Sequence, residues 1–217
     1  MDFTTTLANM DWQQVMLLTW QHVYLVGTAV GLAILIGVPL GVLMVRLRWL
    51  ATPLLTVATI VITIPSIALF GIMLPIYSTF GMGLGAAPAI TAVFLYSLLP
   101  ILRNTYIALD GVDPGIREAG RGIGMTFWQR LWMVDLPLAV PVILGGVRTA
   151  VVMNIGVMTI AAVIGAGGLG LLILNGIGQS NVPLLVIGAI IVSLLAIVVD
   201  TLLNLLQRLL TSKGIEQ

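Results

Sequence analysis

Five apolar runs, at residues 23–45, 52–76, 86–102, 138–164 and 182–206, constrain this chain more than any other feature. About twenty apolar residues in a helix cross the hydrocarbon of a bilayer. The third run is short and the fourth is long enough to tilt or to extend past the hydrocarbon. Between them these segments leave little room for a water-facing surface. Only 8% of the chain is charged and 59% is hydrophobic, against roughly 25% and 45–50% in a soluble domain. The predicted fold is an all-α integral membrane protein with five transmembrane helices.

The basic residues set its direction. Arg46 and Arg48 follow the first run, Arg103, Arg117, Arg121 and Arg130 lie between the third and fourth, and Arg208 and Lys213 follow the fifth. Threading five spans puts all eight on one face and none on the other, so the positive-inside rule predicts the N-terminus outside and this face in the cytoplasm. Residues 1–22 are expected to be an external interfacial segment rather than a cleavable signal, because no basic stretch precedes the apolar run. In it Asp11 is a candidate N-cap with Gln14 three residues on, and Trp12, Trp20 and Tyr24 are interfacial anchors. Residues 23–206 are expected to form the transmembrane domain, with a cytoplasmic loop at 103–137, and 207–217 a cytoplasmic tail. Glycine pairs Gly27/Gly31 and Gly37/Gly41 predict close approach of the first span to a neighbour. Pro65 and Pro141 predict kinks.

Several chemistries are excluded. The single histidine, His22, has no companion ligand in sequence, and there is no cysteine, so no metal centre is expected. The sole lysine, Lys213, is followed by glycine, which rules out a phosphate-binding P-loop. GAGGLG at 165–170 satisfies a dinucleotide-binding pattern letter for letter. It follows an apolar span rather than a strand, and the next acidic residue, Asp200, is thirty positions beyond Gly170. It reads as a tight turn between spans four and five. A net charge of +1 gives no reason to expect nucleic acid as a partner.

Charge is concentrated instead in EAGRGIGMTFWQRLWMVDLP, residues 118–137, which holds Glu118, Arg121, Arg130 and Asp135, four of seventeen charged residues. Asp113-Pro114 is a helix start, N-cap followed by proline at the first helical position. Gly122 or Gly124 suits its end, and Thr126 with Gln129 forms a capping box for a second short helix. Two short helices joined by a glycine turn would make a knob on the cytoplasmic face, with Ile116, Ile123, Leu131 and Trp132 needing something to pack on.

Glu118-Ala119, Gly124 and, after nine residues, Val134-x-Leu136-Pro137 resemble the EAA loop of importer-type ABC transporter permeases, which reads E-A-A, three residues, G, nine residues, I-x-L-P. Gly120 stands for the second alanine and Val134 for isoleucine. The resemblance covers about residues 20–206. TIPSIALFGIMLP (63–75), YSLLPILRNTY (96–106), VDPGIREAGRGIGM (112–125) and VIGAGGLG (163–170) look most like the branch that imports glycine betaine, carnitine or choline. The alternative within the family is an amino-acid importer of the methionine type, and outside it a self-sufficient secondary carrier.

The resemblance implies that Glu118, Ala119, Gly120, Gly124, Leu136 and Pro137 form a coupling contact with a cytoplasmic ATPase subunit. It also implies a second permease subunit, identical or paralogous, and an external substrate-binding protein, in a prokaryotic plasma (inner) membrane. The chain itself is not expected to be an enzyme or to hold a cofactor, since ATP and magnesium would bind the ATPase. The aromatic cage for a quaternary ammonium is expected on the binding protein. Pro65, Ser66, Arg148 and Asn154 are the candidates for the substrate path. Arg148 lies eleven residues past Pro137, roughly 16 Å along a helix. It is expected either to pair with Asp200, some 9 Å from the end of its span by the same rise, or to line a cavity.

Overall fold

A computed structural model describes residues 3–210; Lys213 and the end of the predicted tail, 211–217, lie outside the described residues. Among them the chain is helical throughout, with no strand. A short helix α1 (Phe3–Ala8) precedes α2 (Trp12–Arg46), and a 3-10 turn (Arg48–Leu50) leads into α3 (Ala51–Thr63) and α4 (Ser66–Ser78). Then come α5 (Ala86–Asp110), the short α6 (Pro114–Gly122) and α7 (Phe127–Arg130), a π-turn (Leu131–Asp135) and α8 (Leu136–Met158). A 3-10 turn (Ile160–Ile164), α9 (Gly170–Gly178) and α10 (Val182–Leu210) complete it. Four helices are long and apolar enough to cross a membrane, and five spans result if α3 and α4 count as one.

The N-cap at Asp11 forms as expected: its carboxylate accepts from the amides of Gln13 and Gln14 at 2.9 and 3.2 Å. From there α2 runs for 35 residues without a break at residue 22, a length of about 52 Å. Trp12, Trp20 and Tyr24 are all more than half exposed along it.

The second run departs most from a straight span. At Pro65 the axis turns by 102°. Proline has no amide to continue the ladder and pushes the residue before it into extended backbone; Ile64 accordingly sits at φ −68°, ψ 128°. The carbonyl freed at Ile64 is taken up by the hydroxyl of Tyr96, which donates to it from α5. No water is at hand in hydrocarbon, so such a bend persists only where a neighbour satisfies the backbone. Pro141, the other predicted kink, lies inside a continuous α8, and the Gln207 side chain of α10 donates to its carbonyl at 2.9 Å.

Helix α5 is the hub, packed on α2, α3, α4 and α8, while α10 lies against α8 and α9. Ala29, Ala33, Ala89, Ala92 and Ala150, all at 0% exposure, bring the backbones together, as is usual where lipid supplies no hydrophobic drive between helices. Of the predicted glycine pairs one does this: a Cβ on Gly37 would stand 2.9 Å from Ile101, and one on Gly41 2.6 Å from Thr105. Gly27 and Gly31 meet nothing within 4 Å. Gly146 of α8, not singled out by sequence, allows the same approach to α5: a Cβ there would stand 2.5 Å from Asn104 and 2.8 Å from the Pro100 carbonyl.

Cross-links between helix ends fix the layout. Arg48 reaches Asp110 at 3.2 Å, so α2 and α5 end on one face. The Gly85 amide donates to Ile164 at 3.0 Å, placing the start of α5 and the end of the α8 segment at the other. The bent α3–α4 pair therefore carries the chain from one end of the bundle to the other.

The two glycines 41 and 31 give a test of this packing. Alanine should raise helix propensity at both, by roughly 1 kcal/mol in a soluble host. Only at 41 does the methyl meet the Thr105 side chain, and overpacking of that sort costs about 1–3 kcal/mol. Thermal unfolding in detergent should show Gly41→Ala melting several degrees below wild type and Gly31→Ala at or above it. Equal midpoints would contradict the α2–α5 contact.

Candidate functional site

The knob predicted at 103–137 forms, and each of its turns is closed by its own residues. Asp113 caps α6, its carboxylate accepting from Gly115 and Ile116 at 2.6 and 3.2 Å. The C-terminus is a Schellman turn: Met125 N–H donates to Gly120 at 3.0 Å and Gly124 N–H to Arg121 at 2.9 Å. That geometry needs a left-handed residue, and Gly124 supplies it at φ +83°. The capping box at α7 is complete, with Thr126 N–H donating to Gln129 at 2.9 Å and Gln129 N–H to the Thr126 hydroxyl at 3.3 Å.

The charges divide into two sets. Arg130 and Asp135 are internal, at 7% and 2% exposure, joined at 3.2 Å. Arg117 approaches the same carboxylate at 3.7 Å and donates to the Leu109 carbonyl at the end of α5. This group ties the knob to the base of the bundle. Leu131 docks beside it on Ala108, Leu109, Ala139 and Ile143, with Leu136 half-buried against them. Sequence reading missed this function of Arg130 and Asp135. They are five residues apart across a π-turn, a spacing that α-helical periodicity does not pair.

The second set faces outward. Glu118, Ala119, Arg121 and Gly124 are exposed, as are Ile116 and, at 78%, Ile123. Of the six predicted coupling residues, Glu118, Ala119, Gly124 and Pro137 thus lie on the surface, Leu136 is half-buried and Gly120 is buried. Ile116, Ile123 and Trp132, which needed something to pack on, remain exposed among the described residues. An exposed acidic and apolar face on a rigid, internally braced knob is suited to contact with another protein.

The four path candidates do not converge. Pro65 and Ser66 lie at the α3–α4 bend. Asn154 is sealed at 0% exposure, donating to Ser97 and to the Ala150 carbonyl, each at 2.8 Å. Arg148, six residues earlier on α8, turns away to α10, where its guanidinium grips Asp200 through two bonds, Nε to Oδ1 and Nη2 to Oδ2, the latter at 2.6 Å. Because α10 extends to Leu210, Asp200 is roughly 15 Å from its end, level with Arg148 rather than shallower. The expected pair forms.

The GAGGLG stretch is more than a turn. It leads into α9 instead of joining spans four and five directly. Gln21 of α2 clamps it, donating to Ala166 at 3.2 Å and accepting from Gly168 at 3.0 Å, and the Nε2–H of His22 donates to the Ile155 carbonyl, 3.0 Å away. A Cβ at Gly167 would stand 2.4 Å from Gln21, and one at Gly170 2.0 Å from the Thr159 carbonyl. The glycines serve close packing, with no space for a dinucleotide.

The two knob glycines should respond oppositely to alanine. At Gly120 an added Cβ stays 3.4–3.5 Å from Met125 and Arg130, an ordinary contact, so Gly120→Ala should hold or raise stability by about 0.5–1 kcal/mol. At Gly124 the left-handed backbone makes Gly124→Ala unfavourable by roughly 1–2 kcal/mol. Limited proteolysis of the loop reads this locally: Gly124→Ala should be cut faster and Gly120→Ala no faster than wild type.

With this geometry in hand, comparison with known proteins is direct. The family described as "Binding-protein-dependent transport system inner membrane component" matches residues 29–213. The chain is 69% identical over 198 residues, 91% of its length and 92% of the relative's, to "Osmoprotectant import permease protein OsmW" of Salmonella typhimurium. It is 41% identical, over 91% of its length and 89% of the relative's, to "Glycine betaine/carnitine/choline transport system permease protein OpuCB" of Bacillus subtilis. Among solved structures, one described as "Inward facing conformations of the MetNI methionine ABC transporter: CY5 native crystal form" superposes with TM-score 0.82 over 93% of this chain and 98% of that one, at 22% identity. That likeness is one of fold. Multi-pass, all-α and carrying a braced knob between its helices, the chain belongs to the inner-membrane permease components of binding-protein-dependent ABC importers.

Proposed function

We propose that the chain is the permease subunit of an ATP-driven importer of osmoprotectants of the glycine betaine, carnitine and choline kind. The observation that carries this reading is the 69% identity, over nearly the full length of both proteins, to a relative named for osmoprotectant import. The methionine-transporter likeness stands at 22% identity and speaks only to fold. The permease works with an ATPase, a substrate-binding protein and a second permease; the ATPase carries out hydrolysis, and this chain is not an enzyme.

In this reading the bundle has five spans with the N-terminus outside. The α3–α4 pair counts as the second, in keeping with the Arg48–Asp110 and Gly85–Ile164 links at opposite ends. The knob faces the cytoplasm, where Glu118, Ala119 and the turn at Gly124 seat in a cleft of the ATPase. When the ATPase pair closes, displacement of the knob passes to α5 and α8 through Arg117, Arg130 and Asp135, because these buried charges lock it to both. Solute released by the binding protein then crosses as the bundle rocks between outward- and inward-facing states.

Uptake of labelled glycine betaine, carnitine and choline, in cells whose sole importer of these solutes contains this chain, tests the substrate; transport of methionine instead would overturn it. For coupling, Glu118→Lys and Ala119→Trp alter exposed positions and should leave the membrane amount unchanged while lowering uptake at least tenfold. Co-purification with the ATPase should weaken in parallel. Uptake at the wild-type rate in both variants would remove these residues from the coupling contact.

A further inference from the structure

The Arg148–Asp200 pair has a feature that bracing alone does not require. Both side chains keep about a third of their surface exposed, 34% and 33%, although each lies roughly 15 Å from a helix end. They open on a wide surface recess of about 500 Å³ that Gly145, Thr149, Val152 and Gln207 help to line. Ionised groups at this depth face protein, each other or water, and not lipid. A recess of this size is in the range that holds small solutes. Gly145 contributes to the room: a Cβ there would meet nothing within 4 Å.

Resting on the osmoprotectant reading above, we propose that this pair lines the solute's route and receives a zwitterion as one dipole receives another. Arg148 uses Nε and Nη2 on Asp200, which leaves its Nη1 edge for the solute's carboxylate, a bidentate or charge-assisted contact natural to guanidinium. The quaternary ammonium of the same molecule lies against the Asp200 carboxylate. Because the pair is neutral as a whole, it forms no deep well for a simple cation or anion, and a solute with both charges is favoured over one with a single positive charge. No aromatic ring lines this recess, so the hold lacks a cation–π contribution and suits passage rather than storage.

The complete importer should be assayed with two labelled solutes in competition-free uptake: glycine betaine, a zwitterion, and choline, a cation. The uncharged double variant Arg148→Gln/Asp200→Asn removes both charges and leaves hydrogen-bonding groups. Expected is a fall of at least tenfold in the betaine-to-choline uptake ratio, with membrane amount near wild type. An unchanged ratio, with both uptakes normal or equally reduced, would make the pair structural and overturn the proposal. Should the double variant fail to accumulate, Arg148→Lys keeps the charges and loses the fork geometry; there too the ratio should fall, and an unaltered ratio overturns the site. Uptake of neither solute by wild type would instead defeat the osmoprotectant reading, and the site with it.

Discussion

Every irregularity in this bundle is governed by one constraint: polar backbone and charge removed from water must find partners within the protein. The sharpest bend survives because Tyr96 donates to the carbonyl that Pro65 orphans at Ile64. The glycine loop at 165–170 is held by both ends of the Gln21 amide. Pro141 leaves its helix intact, and its own carbonyl accepts from Gln207. Where chains in water could leave such groups to solvent, here each is tied to another helix, and those ties set how the helices sit.

The same constraint explains why so few charges recur in pairs. Arg130 and Asp135 lie buried together, with Arg117 beside them, and the result is a knob bonded to the end of α5 and joined directly to α8. A flexible loop would dissipate a push from outside; a capped, glycine-turned and ion-paired one transmits it. The exposed face of the knob carries the groups that remain uncommitted, chiefly Glu118, Ile116 and Ile123. Rigidity inside and unfilled contact outside are complementary halves of a coupling element.

Small residues perform the corresponding task between helices. α5 is approached closely by α2 at Gly37 and Gly41 and by α8 at Gly146, so three helices meet at backbone distance around buried alanines. Van der Waals contact is the main attraction available between helices in lipid, and it falls off within fractions of an ångström. That is why a single methyl at Gly41 is expected to be felt.

Much was legible in the sequence alone, and for local reasons. Apolar length gave the spans, basic asymmetry gave a direction, and Asp113-Pro114, Gly124 and Thr126-x-x-Gln129 gave the knob, since caps and turns are decided by residues within a few positions of one another. Glu118 to Pro137 carried the family pattern in linear order. What stayed hidden depended on residues far apart in the chain. Nothing near Pro65 foretells a bend of 102° rather than a kink, because the bend is stabilised by Tyr96, thirty-two positions from the Ile64 carbonyl it serves. Gly27 and Gly31 look like Gly37 and Gly41 until the neighbour's place is known. Asn154 and Arg148 share a helix, yet one is sealed and the other opens on a surface recess, as the direction each faces on α8 decides. Spacing along the chain determines which helices form and where they stop; only their packing determines which side chains meet, because those contacts are long-range and sensitive to distances of a single methyl group.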